Sequence, residues 1–125
     1  MFSHVMIGAS DLEASKKFYD AVLGALGVGE PMRDNDRYFY MTDKGTFAIS
    51  VPIDGEPACG ANGGTVGFAA KDGDMVEAFH KAGLAAGGTT CEEPPGVRES
   101  GFGNLYLAYL RDPSGNKICA MHRAR

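Results

Sequence analysis

The chain writes one pattern twice. His4-Val5-Met6-Ile7-Gly8-Ala9-Ser10-Asp11 runs into Leu12 through Gly27, and Thr65-Val66-Gly67-Phe68-Ala69-Ala70-Lys71-Asp72 runs into Gly73 through Gly88. A single ungapped offset of 61 residues pairs Val5 with Val66, Ala9 with Ala70, Asp11 with Asp72 and Phe18 with Phe79. The same offset pairs Leu23 with Leu84, Ala25 with Ala86 and Gly27 with Gly88. A pattern written twice describes a paired module rather than a solenoid, whose units stack in longer arrays.

Each copy reads as a strand, a helix and then strands. Phe2 to Ala9 alternates, with Val5 and Ile7 on one face and His4, Met6 and Gly8 on the other. Ser10-Asp11-Leu12-Glu13 has capping-box spacing, which satisfies backbone N–H groups at a helix start. Leu12, Ser15, Phe18, Tyr19, Val22, Leu23 and Leu26 recur at three- and four-residue steps and form a buried stripe. Gly24 loosens that helix and Gly27 ends it. Glu30–Arg33, Tyr38–Thr42 and Thr46–Val51 read as strands, the last two joined by a turn at Asp43-Lys44-Gly45. Pro52 to Gly64 has no periodicity and is rich in turn residues.

In the second copy, Thr65–Ala70 is a strand and Asp72 caps a helix with a stripe of Met75, Val76, Phe79, Ala82 and Leu84. Thr89–Glu92 is a short strand, Glu93 to Gly101 a loop, and Leu105–Leu110 and Lys117–His122 strands around a turn at Arg111 to Asn116. The expected fold class is α+β: two βαβββ modules whose mixed sheets curl around a shared cavity. The expected division is one domain, 1–125, made of module 1–53, linker 54–64 and module 65–122.

Composition excludes several function classes. A net charge of −4 gives no basic surface for nucleic acid, and no apolar run reaches membrane-spanning length. The start Met1-Phe2-Ser3-His4 lacks a basic and then apolar leader, so a cytoplasmic protein is expected. Cys59, Cys91 and Cys119 are an odd, widely spaced set, which indicates neither a disulfide framework nor a structural zinc site.

The double βαβββ pattern resembles the vicinal oxygen chelate superfamily: glyoxalase I, bleomycin-resistance proteins and extradiol dioxygenases. The residues that carry the resemblance are His4-Val5, Ser10-Asp11-Leu12-Glu13 with Phe18-Tyr19, Val66 to Ala70, and Val76 to His80 with Leu84 to Gly88. Pro95-Gly96-Val97-Arg98 and Arg111 to Ile118 complete it. The resemblance implies a divalent metal held by His and Glu from the first and last strands of each module, acting as a Lewis acid on a chelating substrate.

Carried over position by position, only His4 keeps a usual ligand type. Thr65 stands at its counterpart, Cys119 follows Ile118 where Glu is usual, and Ile49 or Ser50 fills the fourth place. A catalytic divalent ion normally takes about three protein ligands, so no metal and no other cofactor is expected, with a divalent metal as the alternative. Alternation aims His4, Met6, Thr65 and Gly67 into the cavity, and Cys119 and Met121 likewise on the closing strand. His4, Thr65 and Cys119 form a polar spot in a wall of Met and Tyr.

Tyr38, Tyr40, Tyr106 and Tyr109 either line the cavity or pack strands, and Arg98 either clamps an anion or is a solvated loop residue. The candidate ligand pocket is therefore His4, Met6, Tyr38, Tyr40, Thr65, Arg98, Tyr106, Tyr109, Cys119 and Met121. The expected function is small-molecule binding between modules, in a homodimer by analogy with the family. The alternative is a metal-dependent lyase or dioxygenase with a non-standard site around His4.

Overall fold

A computed structural model describes residues 1–123. The first module runs β1 (His4–Gly8), α1 (Leu12–Ala25), β2 (Met32–Asp34), β3 (Arg37–Thr42) and β4 (Gly45–Ser50). The second runs β5 (Val66–Ala69), α2 (Gly73–Ala85), β6 (Thr89–Thr90), β7 (Gly96–Ser100), β8 (Gly103–Arg111) and β9 (Lys117–Arg123). Sheet one has the order β1-β4-β3-β2, with β1 and β4 parallel and the rest antiparallel. Sheet two has the order β5-β9-β8-β6, with β5 and β9 parallel, and β7 also pairs with β8. Each strand–helix–strand crossover places its helix on one face of its own sheet, as the alternation predicts.

Two expectations are corrected. Glu93 to Gly101 is not all loop, because Gly96–Ser100 forms β7 against Leu107 to Gly103. Its turn is closed by Ser100 Oγ, which accepts from Phe102 N at 3.0 Å and donates to the Gly103 carbonyl at 2.7 Å. β6 and β7 thus occupy successive stretches of the one β8 edge. Leu84 is not core: it is 42% exposed, and Gly83 is the residue that turns inward.

The helices start as the sequence suggests and stop one residue apart in register. Asp11 caps α1 by accepting from Ala14 N at 3.1 Å, and Asp72 caps α2 by accepting from Met75 N at 2.8 Å. Glu13 does not close the capping box. It accepts from Tyr38 Oη instead, while Ser10 Oγ accepts from Ala58 N in the linker.

One core serves both modules. The helix-side faces of the two sheets meet, and the aromatic run Tyr19–Phe47–Phe68 crosses between them with ring centroids 4.8 and 5.0 Å apart. The helices pack on each other where a Cβ built on Gly83 would lie 3.0 Å from Val22 Cγ1. Among the described residues, no helix is long and apolar enough to cross a membrane.

Candidate functional site

The pleat decides which predicted residues can share a site. In sheet one the register sets His4, Met6, Thr46, Ala48, Phe39, Met41 and Met32 on the face away from α1. In sheet two it sets Gly67, Ala69, Cys119, Met121, Tyr109, Leu107, Lys117 and Arg98 on the face away from α2. These two open faces are where His4, Met6, Arg98, Tyr109, Cys119 and Met121 lie. Thr65 is exposed and stands just before β5, one residue outside the ladder.

The wall of tyrosines expected from the sequence is corrected: of the strand tyrosines, the open faces hold Tyr109 alone. Tyr38, Tyr40 and Tyr106 turn toward the helices because each phenol finds a helix carboxylate there. Tyr38 donates to Glu13 at 2.8 Å, Tyr40 to Asp20 at 2.8 Å, and Tyr106 to Glu77. The bond to Glu13 raises the Tyr38 pKa, burial raises that of Tyr40 far above its ordinary value, and the bond to Glu77 raises that of Tyr106. All three are neutral donors. Tyr40 also borders a groove of about 720 Å³ with His4, Val5, Phe47 and Val66 to Ala69, the strand and α1 ends of module one against β5. That groove does not take in Thr65, Arg98, Tyr106, Tyr109, Cys119 or Met121.

The open face of sheet two has a defined chemistry. Cys119 is buried, and burial pushes its thiol up to about 11, so it is a neutral small hydrophobe rather than a nucleophile. Gly67 lies beside it, since a Cβ there would sit 3.2 Å from Cys119 Sγ. Lys117 is paired with Glu92, and its ammonium lies 5.0 Å from the centre of the Tyr109 ring. Arg98 bends back along its own strand and donates to the carbonyls of Gly96 (3.2 Å), Glu93 (3.0 Å) and Pro94 (2.9 Å).

Lys117 and Leu107 share this open face and are not among the candidate residues read from the sequence. The signal was present, because each follows from alternation once Cys119 is placed and β8 is folded back on β9. The open face of sheet one carries exposed methionines beside the polar His4 and Thr46: Met32 is 63% exposed, Met41 55% and Met6 37%.

The donor set does not fit a metal within one chain. Among the described residues, no three His, Cys, Asp or Glu side chains converge in a way that could hold an ion. His4 Nδ1 is 2.8 Å from Ser3 Oγ, and both residues are exposed. His122, on the helix side, has its Nδ1 3.2 Å from the Ala70 carbonyl and is turned away from Cys119.

A family model described as the glyoxalase/bleomycin resistance protein/dioxygenase superfamily matches residues 1–120. A crystal structure of a glyoxalase/bleomycin resistance protein from Albidiferax ferrireducens T118 is 63% identical, with a TM-score of 0.96, covering 98% of this chain and 99% of that one. A glyoxalase/bleomycin resistance protein/dioxygenase family enzyme from Burkholderia phytofirmans PsJN is 21% identical, with a TM-score of 0.72 and 95% of each chain covered. Lactoylglutathione lyase from Agrobacterium tumefaciens is also 21% identical, with a TM-score of 0.66 over 97% of this chain and 92% of that one. These last two share the fold. No curated protein matches the chain.

Proposed function

The chain belongs to the glyoxalase/bleomycin resistance protein/dioxygenase superfamily, and from that premise we propose that it binds a small molecule on its open sheet faces without a standard catalytic metal. The observation that carries this reading is how the two sheets spend their faces. The helix sides meet in one core, and Ala48, Leu107 and Cys119 on the open faces are buried outside that cluster. One open face is rich in Met and the other joins an apolar floor to a few polar groups. A mostly apolar surface with a few convergent polar groups is the default form of a ligand site. In this reading a homodimer brings the open face of one copy's first module against that of the other's second, with the ligand between them.

Metal-free binding is supported by the donor chemistry. Thr65 is a poor ligand, and a thiol held up to about 11 resists the deprotonation that metal binding requires. A thermal-shift screen of small organic compounds tests the proposal, since a ligand that binds only the folded state raises the Tm. Gly67→Leu, which adds bulk over Cys119, should remove the shift while the protein still melts cooperatively. If no compound raises the Tm, the reading fails. Elemental analysis should find no stoichiometric metal. About one equivalent of Zn, Ni, Mn or Fe per chain, lost in His4→Ala, would favour the lyase or dioxygenase alternative instead.

A further inference from the structure

We propose that Arg98 and Tyr109 read the ligand's anionic group, and that the ligand is a small organic carboxylate with a planar apolar body. The inference rests on the small-molecule reading above and narrows it to a chemical class.

Arg98 is half-buried and held in place, yet its charge is not neutralised. The three carbonyls it bonds fix the guanidinium plane and carry no formal charge. The ion pairs of the described residues are Lys16–Asp20, Arg33–Glu13 and Lys117–Glu92, and Arg98 is in none of them. Three of its five N–H donors are used in these bonds, two from Nη2 and one from Nη1, and the Nε–H and the second Nη1–H are left to meet an anion's oxygens. A pre-set, uncompensated guanidinium loses little entropy on meeting an anion.

Tyr109 supplies the second donor. Of the five tyrosines, four donate to a carboxylate: Tyr19 to Asp112, Tyr38 to Glu13, Tyr40 to Asp20 and Tyr106 to Glu77. The Tyr109 hydroxyl has no such partner among the described residues, and its ring lies half-buried on the open face. A ligand carboxylate would complete the pattern that the other four already follow.

The register brings the two donors together. Gly96 pairs with Leu107 and Thr90 with Leu110, so the segment 91–95 between them passes the stretch of β8 that holds Tyr109. The Arg98 guanidinium reaches past Gly96 to the Glu93 and Pro94 carbonyls, toward that end of β8. Burial raises the Tyr109 pKa, and nearby Arg98 lowers it only in part, so the phenol is a neutral donor at physiological pH. The floor between them is Leu107, Cys119 and Met121, which suits an apolar body.

The test uses the full chain and three probes: benzoate, its neutral counterpart benzamide, and inorganic phosphate. Ligand-observed NMR titration at millimolar concentration reads weak binding directly. Benzoate should bind at least about tenfold more tightly than benzamide, and phosphate should not displace it. Arg98→Met should weaken benzoate roughly tenfold or more, and Tyr109→Phe by several-fold. Arg98→Lys should recover part of the loss.

Because Arg98 also holds its loop, cooperative melting of each variant is checked first, and Tyr109→Phe, which removes one oxygen, stands as the independent variant. Equal binding of benzoate and benzamide, or benzoate affinity unchanged in both Tyr109→Phe and Arg98→Met, would overturn the proposal. So would displacement of benzoate by phosphate at equal concentration. If neutral compounds of the wider screen bind but no carboxylate does, the anion inference falls while the small-molecule reading stands. If nothing binds, both fall.

Discussion

Asp112 is buried, and its two oxygens receive four hydrogen bonds. Tyr19 Oη donates at 2.6 Å, Asn116 Nδ2 at 2.9 Å, Ser114 N at 2.9 Å and Asn116 N at 3.0 Å. Asn116 Nδ2 also donates to the Gly8 carbonyl at 2.9 Å, so one carboxylate ties the β8–β9 turn to α1 and to the end of β1. Asp112→Ala strands a buried phenol and a buried amide, and should cost about 3 kcal/mol in urea unfolding. Tyr19→Phe removes one donor from a carboxylate that keeps three others, and should cost about 1.5 kcal/mol. Cys119 gives the pH prediction. Its folded pKa of about 11 lies above the ordinary 9.0, so the native state holds the proton more tightly than the unfolded chain. The stabilisation is complete below pH 9.0 and declines as pH rises toward about 11. Melting curves across that window should fall less steeply in Cys119→Ala than in the wild type; identical slopes would show that the thiol is not shielded.

The helix pair sets two glycines against each other as elements. Gly83 is buried, and a Cβ there would meet Leu110 Cδ1 at 2.3 Å, Val22 Cγ1 at 3.0 Å and Phe18 Cε1 at 3.2 Å. Gly24, in α1, has nothing within 4 Å of the same atom. Gly83→Ala should therefore destabilise by about 1–2 kcal/mol, overpacking outweighing helix propensity, while Gly24→Ala should stabilise by about 0.5–1 kcal/mol. Denaturant midpoints moving in the same direction for both would refute this packing of α1 on α2. Most elements were legible because alternation and the 3.6-residue stripe act locally: the α1 stripe Leu12, Ser15, Phe18, Tyr19, Val22 and Leu23 is the buried set. Three features were not. Val97-Arg98-Glu99-Ser100 looks like loop beside Pro94, Pro95 and Gly101, and becomes β7 only because β8 offers a free edge. Leu84 aligns with buried Leu23 but is displaced by the helix crossing at Gly83. The repeat also slips by one at the helix ends: Gly27 and Gly87, not Gly88, hold the left-handed position, at φ 87° and 102°.

At the scale of the whole molecule, the facing of the candidate residues was half legible. Alternation placed His4, Met6, Cys119 and Met121 on the faces away from the helices, because the strand period is local. It could not place the tyrosines, whose direction follows from carboxylates on a helix distant in sequence, such as Asp20 for Tyr40 and Glu77 for Tyr106. Nor could it say which module face meets which. Within the chain the aromatic core joins helix side to helix side, and Met32 and Met41 remain more than half exposed on the first sheet. Uncovered apolar patches of this kind mark association surfaces. Two copies related by a two-fold axis can each cover the other's exposed methionines, which closes the assembly and leaves no face for further growth. The expected species is therefore a homodimer, seen by light scattering as twice the chain mass. Met41→Asp puts a charge on that face without touching the core, so it should shift the dimer toward monomer at micromolar concentration while leaving secondary structure unchanged. It should also weaken ligand binding, because the first module would no longer cap the Arg98–Tyr109 face. A wild type that stays monomeric across a wide concentration range would remove the dimer, and ligand binding by such a monomer would put the whole site on sheet two.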